Sequence, residues 1–324
     1  MPTPKNVHID RALTNISVAY IQEASRFIAD KVFPVIPVMK QSDTYFTYSR
    51  DDFFRDEAGV RAPGAESAGG DYDVTTADPY YCRVVAFHKD ITEEERVNSD
   101  DPLNPNQDAT DFVTQKLLIR RENDWASKYF GPGKWGTDIS GVTSGAGANQ
   151  VLKWSKPESD PIGDIKRAKT QMLQNTGYEP NTLVLSVKVF DALCEHEDII
   201  DRIKYTQRGV VTEDLLAQLF GVERIFVTKA IVNTANKGVA GKNQFIMPDG
   251  ALLMYVEMNP GLRKPSAGYI FAWKGLKGAG AYGNRVVRFN VPHLGIETER
   301  VEGEMAYDAK QIAADLGIFF KDVL

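Results

Sequence analysis

The stretch RAPGAESAGG, residues 61–70, lies between two runs that read as β-strand, and it is too long and too polar for a hairpin turn. Upstream, Pro34 and Pro37 rule out helix, and a Tyr-, Phe- and Thr-rich strand begins near Thr44. Downstream, YDVTTADPYYCRVVAFHKDIT is again rich in Thr, Tyr and Val. The pattern predicts two long strands flanking a flexible polar tip. Such a ribbon has no core of its own, and a two-stranded hairpin is marginal in water, so something outside it must complete it.

The rest of the chain has ordinary means to fold. Its 324 residues, 43% of them hydrophobic, suffice for one large or two smaller cores. The 44 acidic and 38 basic residues leave a net charge of −6, which favours solubility and argues against a surface built to neutralise many phosphates. Cys82 and Cys194 sit in strand-like and helix-like contexts without metal-ligand spacing, so buried free thiols in a reducing compartment are expected. The first residues, MPTPKNVHIDRALTN, lack the basic and apolar regions of a signal peptide. No run approaches the roughly 18 apolar residues of a membrane span, so a cytosolic product without a membrane partner is expected.

Periodicity places the elements. Over residues 15–32, Ile16, Tyr20, Ile21, Ala24, Phe27 and Ile28 recur at three- and four-residue spacing, the stripe of an amphipathic helix. Residues 107–130 contain neither Gly nor Pro until Gly131, which predicts a helix of about six turns. Val113, Leu117, Leu118, Trp125 and Tyr129 form its apolar face, with Arg120, Arg121, Glu122 and Asp124 mostly elsewhere. After the six glycines of GPGKWGTDISGVTSGAGANQ, a helix over 161–175 closes on Gly177. The strand NTLVLSV, the helix KVFDALCEHEDIIDRI, the short helix VTEDLLAQLFG capped by Thr212 and the strand VERIFVTKAIV follow, a compact α/β or α+β unit. The C-terminal part is strand after strand, ending with AKQIAADLGIFFKDVL.

No motif carries chemistry. GAGAYG, residues 278–283, has the G-x-G-x-x-G spacing, but a strand pattern rather than a helix follows it. GVAGKN and GPGKWG lack the first glycine and the Ser/Thr of a phosphate loop and read as turns. His8, His88, His196 and His293 are single, and the acid-rich runs lack calcium-loop spacing. No enzyme activity, cofactor or metal is expected.

An N-terminal arm, a long hairpin with a soft tip, a spine-like helix, a compact α/β unit and a strand-rich end, in that order, resemble the major capsid protein of tailed bacteriophages, the Hong Kong phage capsid fold. DRALTNISVAYIQ leading to ADKVFPVIPVMKQSDTYFTY looks like the N-terminal arm and the first strand of the loop, RAPGAES like the extended-loop region, and AYDAKQIAADLGIFFKDVL like the closing segment. The resemblance implies an α+β fold with an arm over residues 1–43 and an extended loop over 44–89. It further implies a peripheral domain over 90–180 plus 290–324, with the spine helix at about 107–130, and an axial domain over 181–289.

The function implied is structural: self-assembly into pentamers and hexamers of an icosahedral head that encloses double-stranded DNA without binding it specifically. Its place would be the virion, and the host cytoplasm during assembly. Implied partners are further copies of the chain, with separate portal and decoration proteins; since the chain begins directly with the arm, the scaffold is expected to be separate too. Some family members carry a Lys–Asn isopeptide cross-link, but no motif here identifies one and none is predicted. Arg50, Arg55 and Arg61, near the tip, are candidates for contacts with acidic patches on neighbours. The alternatives are an encapsulin-like compartment shell with an enzyme cargo and, from a different class, a nucleotide-binding enzyme that uses GAGAYG.

Overall fold

The longest strand, Glu299–Gln311, organises one of two main sheets. The computed structural model describes residues 21–99, 103–203, 211–261, 264–280, 283–295 and 297–324. In it, this strand pairs antiparallel with Arg83–Ile91 along one edge and with Asn284–Asn290 and Gly268–Trp273 along the other. Gly268–Trp273 also pairs, in parallel, with Val35–Val38. The spine helix, Pro105–Tyr129, packs on this sheet. Asn104 caps it by accepting the Gln107 N–H at 3.3 Å, and Pro105 sits in the first turn, where no N–H is needed. Gly303 lets helix and strand approach: a Cβ there would stand 2.5 Å from Val113 Cγ1 and 2.9 Å from Leu117 Cδ1.

The second sheet runs in the order Arg224–Thr228, Thr182–Ser186, Ala251–Met254, Gly317–Lys321, Thr137–Val142, Gln150–Leu152. Its central strands are covered on both faces, which explains why LVL of Thr182–Ser186, ALLM and IFF read as apolar runs without alternation. Leu183, Leu185, Leu253, Ile318 and Phe320 pack with the helices Pro161–Thr176, Val187–Glu195 and Glu213–Phe220. The alternate residues Val184, Leu252, Met254 and Phe319 turn the other way and share a core with Trp125 and Phe130. One core therefore ties the spine helix to both sheets.

Four expectations are corrected. Of the helix expected over 15–32, residues 15–20 lie outside the described residues, and the remainder is a 3₁₀ turn, Ala24–Arg26, and a single helical turn, Ala29–Val32. The helix is interrupted because Glu122 takes the Ile28 and Ala29 amides that earlier carbonyls would otherwise accept. The two long hairpin strands are short pairs instead, Ser42–Asp43 with Tyr80–Tyr81 and Phe46–Tyr48 with Val74–Thr76, separated from the tip by the helix Arg50–Phe54. Arg83–Ile91 leaves the hairpin to pair with Glu299–Gln311 in the first sheet, where its last residue, Ile91, is buried. The helix expected over KVFDALCEHEDIIDRI breaks at His196, whose backbone is extended.

Sheet membership also crosses the expected domain boundaries. Thr137–Val142, Gln150–Leu152 and the C-terminal Gly317–Lys321 lie in the same sheet as Thr182–Ser186, while Gly268–Trp273 and Asn284–Asn290 lie in the spine-helix sheet. The apolar GIFF takes a position buried on both faces within the second sheet.

Candidate assembly surface

The hairpin is rooted by aromatic stacking. Phe271 lies between Tyr80, whose ring is 4.4 Å away and inclined by 11°, and Tyr45 at 6.2 Å. Cys82 sits beneath them, its thiol directed at the Phe271 carbonyl at 3.4 Å, and burial pushes that thiol up to about 12. Burial also lifts the half-buried Cys194, to about 11, so neither cysteine is poised as a thiolate nucleophile.

Beyond the root, burial ends. Thr47 and Thr75 bridge the short strands through their hydroxyls at 2.7 Å. Tyr48, Phe53 and Tyr72 then gather with ring centroids 5.5 to 6.2 Å apart, yet remain 39%, 55% and 50% exposed. Phe46 and Phe54 are also exposed, and Val60 entirely so. Residues 61–70 are exposed throughout, with a turn closed by the Ala65 N–H on the Ala62 carbonyl, and Gly64 at φ 80° serves that turn.

The three candidate arginines are not brought to one place. Arg50 donates to Asp315 of its own chain at 2.8 Å. Arg55 pairs with Asp52 at 3.3 Å and approaches Glu57 at 3.9 Å. Arg61 is exposed and has no ion-pair partner among the described residues. A second exposed apolar group lies where the spine helix meets the first sheet: Phe87 and Phe112 meet edge to face at 5.8 Å, the Lys116 ammonium is 5.2 Å from the Phe112 ring centroid, and Val286 is also exposed.

The sequence reading missed a buried charge cluster. Glu122 is 0% and Arg121 7% exposed. Glu122 accepts the Ile28 and Ala29 amides at 3.1 and 3.0 Å, and Arg121 Nη2 lies 3.0 Å from Asp30 Oδ2. Burial pushes the Glu122 carboxyl up to about 7 against the pull of those amides and of Arg121. The one signal in the sequence was position, since the neighbouring Val113, Leu117 and Trp125 already placed this helix against a core.

A buried Ser–His contact invites comparison with a catalytic pair. Ser159 Oγ lies 2.9 Å from His196 Nε2. His196 Nδ1, however, accepts the Asp198 N–H at 3.3 Å, so the network places the ring hydrogen on Nε2, pointing at the serine. Ser159 in turn donates to the Lys156 carbonyl at 2.7 Å. The imidazole cannot take the serine proton in this arrangement, and the contact is a structural cap. GAGAYG, of which residues 281 and 282 lie outside the described residues, leads into the strand Asn284–Asn290, not a helix. His8 also lies outside them, and among the described residues no group of three or more His, Cys, Asp or Glu could hold a metal.

Several known proteins are similar to this chain. Residues 148–267 match the family of phage major capsid protein E. The major capsid protein of Burkholderia phage BcepMu is 27% identical over 283 residues, covering 82% of this chain and 84% of that protein. A phage-related protein of Bordetella bronchiseptica superposes with a TM-score of 0.68 at 25% identity, covering 93% of each chain. The capsid of cyanophage P-SCSP1u shares the fold at a TM-score of 0.62 and 12% identity, covering 98% of this chain and 93% of that one. The chain is similar to phage major capsid proteins and has the Hong Kong phage-type α+β fold.

Proposed function

We propose that this chain builds the shell of a phage head, assembling as pentamers and hexamers into an icosahedral lattice around double-stranded DNA. The observation that carries the reading is the hairpin: a rooted ribbon whose outer aromatics, Phe46, Phe53, Phe54 and Tyr72, stand in water beside a tip with no core. Exposed aromatic groups of this kind mark contact surfaces, and a hairpin laid over an adjacent subunit buries area that a globule could not reach. The similarity to a phage major capsid protein along most of the chain supports the same reading.

On this reading residues 1–43 act as the arm and 44–89 as the extended loop. The peripheral domain is assigned to the spine-helix sheet and the axial domain to the six-stranded sheet, in place of a division at fixed sequence positions. Arg55 and Arg61 remain the loop's candidates for acidic groups on a neighbour, whereas Arg50 must first give up Asp315. Scaffold, portal and decoration functions belong to separate proteins. The −6 net charge suits a wall that encloses DNA without holding it. The virion is its destination and the host cytoplasm its place of assembly, and no catalytic role is assigned.

Gradient sedimentation of the expressed full chain, alone and with its phage's other head proteins, tests this. Fast-sedimenting rings or shells are expected, and a chain that stays monomeric under both conditions contradicts it. Shells that hold an enzyme instead of DNA would support an encapsulin-like compartment in its place.

A further inference from the structure

We infer that Glu122 is a pH-sensitive latch that fastens the root of the N-terminal arm to the spine helix. The root, residues 22–33, crosses the helix, and besides the Asp30–Arg121 ion pair two sets of hydrogen bonds tie it. At the first, Gln115 donates to the Gln22 carbonyl at 2.5 Å, and the Gln22 side chain exchanges two hydrogen bonds, of 2.8 and 2.9 Å, with the backbone of Ile231. These groups are neutral and insensitive to pH. At the second tie Glu122 has no solvent exposure, and its two oxygens receive the Ile28 N–H at 3.2 and 3.1 Å and the Ala29 N–H at 3.0 Å.

The charged groups around this tie come from three elements. Arg121 precedes Glu122 on the spine helix, Asp30 comes from the root itself, and Arg285 and Glu304 come from the first sheet. Arg121 and Asp30 pair with each other, as do Arg285 and Glu304, and all four line a cleft of about 380 Å³. Arg121 Nε is buried without a partner, so the guanidinium is only partly committed to Asp30. Asp30 works against the Glu122 charge and Arg121 for it, but burial outweighs both and holds the docked carboxyl at about 7 against an ordinary value of 4.5.

The sign follows. When the root lifts away, the carboxyl is hydrated and returns toward its ordinary value, so the docked state binds more protons between about pH 4.5 and 7. Docking therefore tightens as pH falls through 7, levels off below about 4.5, and is weakest above 7. Each unit of difference is worth tenfold, which bounds the change in the docking equilibrium at roughly 300-fold.

Hydrogen exchange of the full chain between pH 5 and 8, corrected for the intrinsic pH dependence of exchange, tests the latch at the Ile28 and Ala29 amides. Protection is expected to fall severalfold to a hundredfold as pH rises, and to become flat in Glu122→Gln. Asp30→Asn removes the opposing negative charge and should move the midpoint to lower pH. Protection that is flat in the wild type, or equally steep in Glu122→Gln, overturns the proposal. If Glu122→Gln fails to fold, as loss of protection over Thr182–Ser186 would reveal, the Asp30→Asn midpoint decides: unchanged or raised, it overturns the latch. The readout lies within one subunit, so its failure is separate from a failure to assemble.

Discussion

Arg50 of the extended loop donates to Asp315, 265 residues further along the chain, across 2.8 Å. The bond ties the helix Arg50–Phe54 to the turn that precedes the last strand, and beside it the Phe54 ring lies 3.2 Å from where a Cβ on Gly177 would stand. Both charged side chains are about half exposed, 42% and 57%, so the pair contributes on the order of 0–1 kcal/mol. A contact that weak can hold a loop against its own subunit and still yield to a neighbour.

Arg50→Ala should therefore lower stability by less than about 1 kcal/mol in denaturant titration. It should also speed protease cleavage within residues 55–73. The swap Arg50→Asp with Asp315→Arg should restore slow cleavage. Cleavage unchanged by the single substitution would show that the pair does not hold the loop.

Deletion of residues 61–70 should leave the thermal midpoint within a few degrees of the full chain, because nothing in that segment is buried. Assembly, read by sedimentation, should fail. Loss of soluble expression would instead make the tip part of the subunit's own fold.

At Gly303 the spine helix leaves no room for a side chain. Gly303→Ala should cost about 1–3 kcal/mol through overpacking against Val113 and Leu117. Adding Val113→Ala should recover part of that loss, since it removes the Cγ1 that the new methyl meets. Two additive losses in a double-mutant cycle would contradict the close packing.

Phe271 stacks on Tyr80 and shares a buried cluster with Cys82, so Phe271→Ala should loosen the hairpin root and cost about 3 kcal/mol. The sensitive readout is thiol alkylation at pH 8. Burial raises the Cys82 thiol, so alkylation should be slow in the wild type and accelerate in the variant, with Cys194 as internal comparison. Equal Cys82 rates in both proteins would show that the stack does not shield the root.

Elements defined by local pattern were legible from sequence. The spine helix expected over 107–130 is Pro105–Tyr129, and Thr212 and Gly221 bracket Glu213–Phe220 as cap and left-handed stop. What was not legible depends on partners far along the chain. Glu122 looked solvent-facing because a carboxylate on a helix usually is, and the amides that admit it to the core lie 93 and 94 residues away. Arg50 looked available for a neighbour because Asp315 is near it only in space. The break after Arg26 and the shortness of the hairpin strands have the same origin, since other groups took the hydrogen bonds and the core that continuous elements would have needed.

Electron cryomicroscopy of the particles formed by the full chain tests the central claim most directly. The account predicts a closed lattice of pentamers and hexamers in which the hairpin that carries the 61–70 tip of each subunit lies over the next, with Phe53 and Tyr72 covered. A monomer at every concentration, or a lattice in which those rings and the 61–70 tip touch no neighbour, would contradict it.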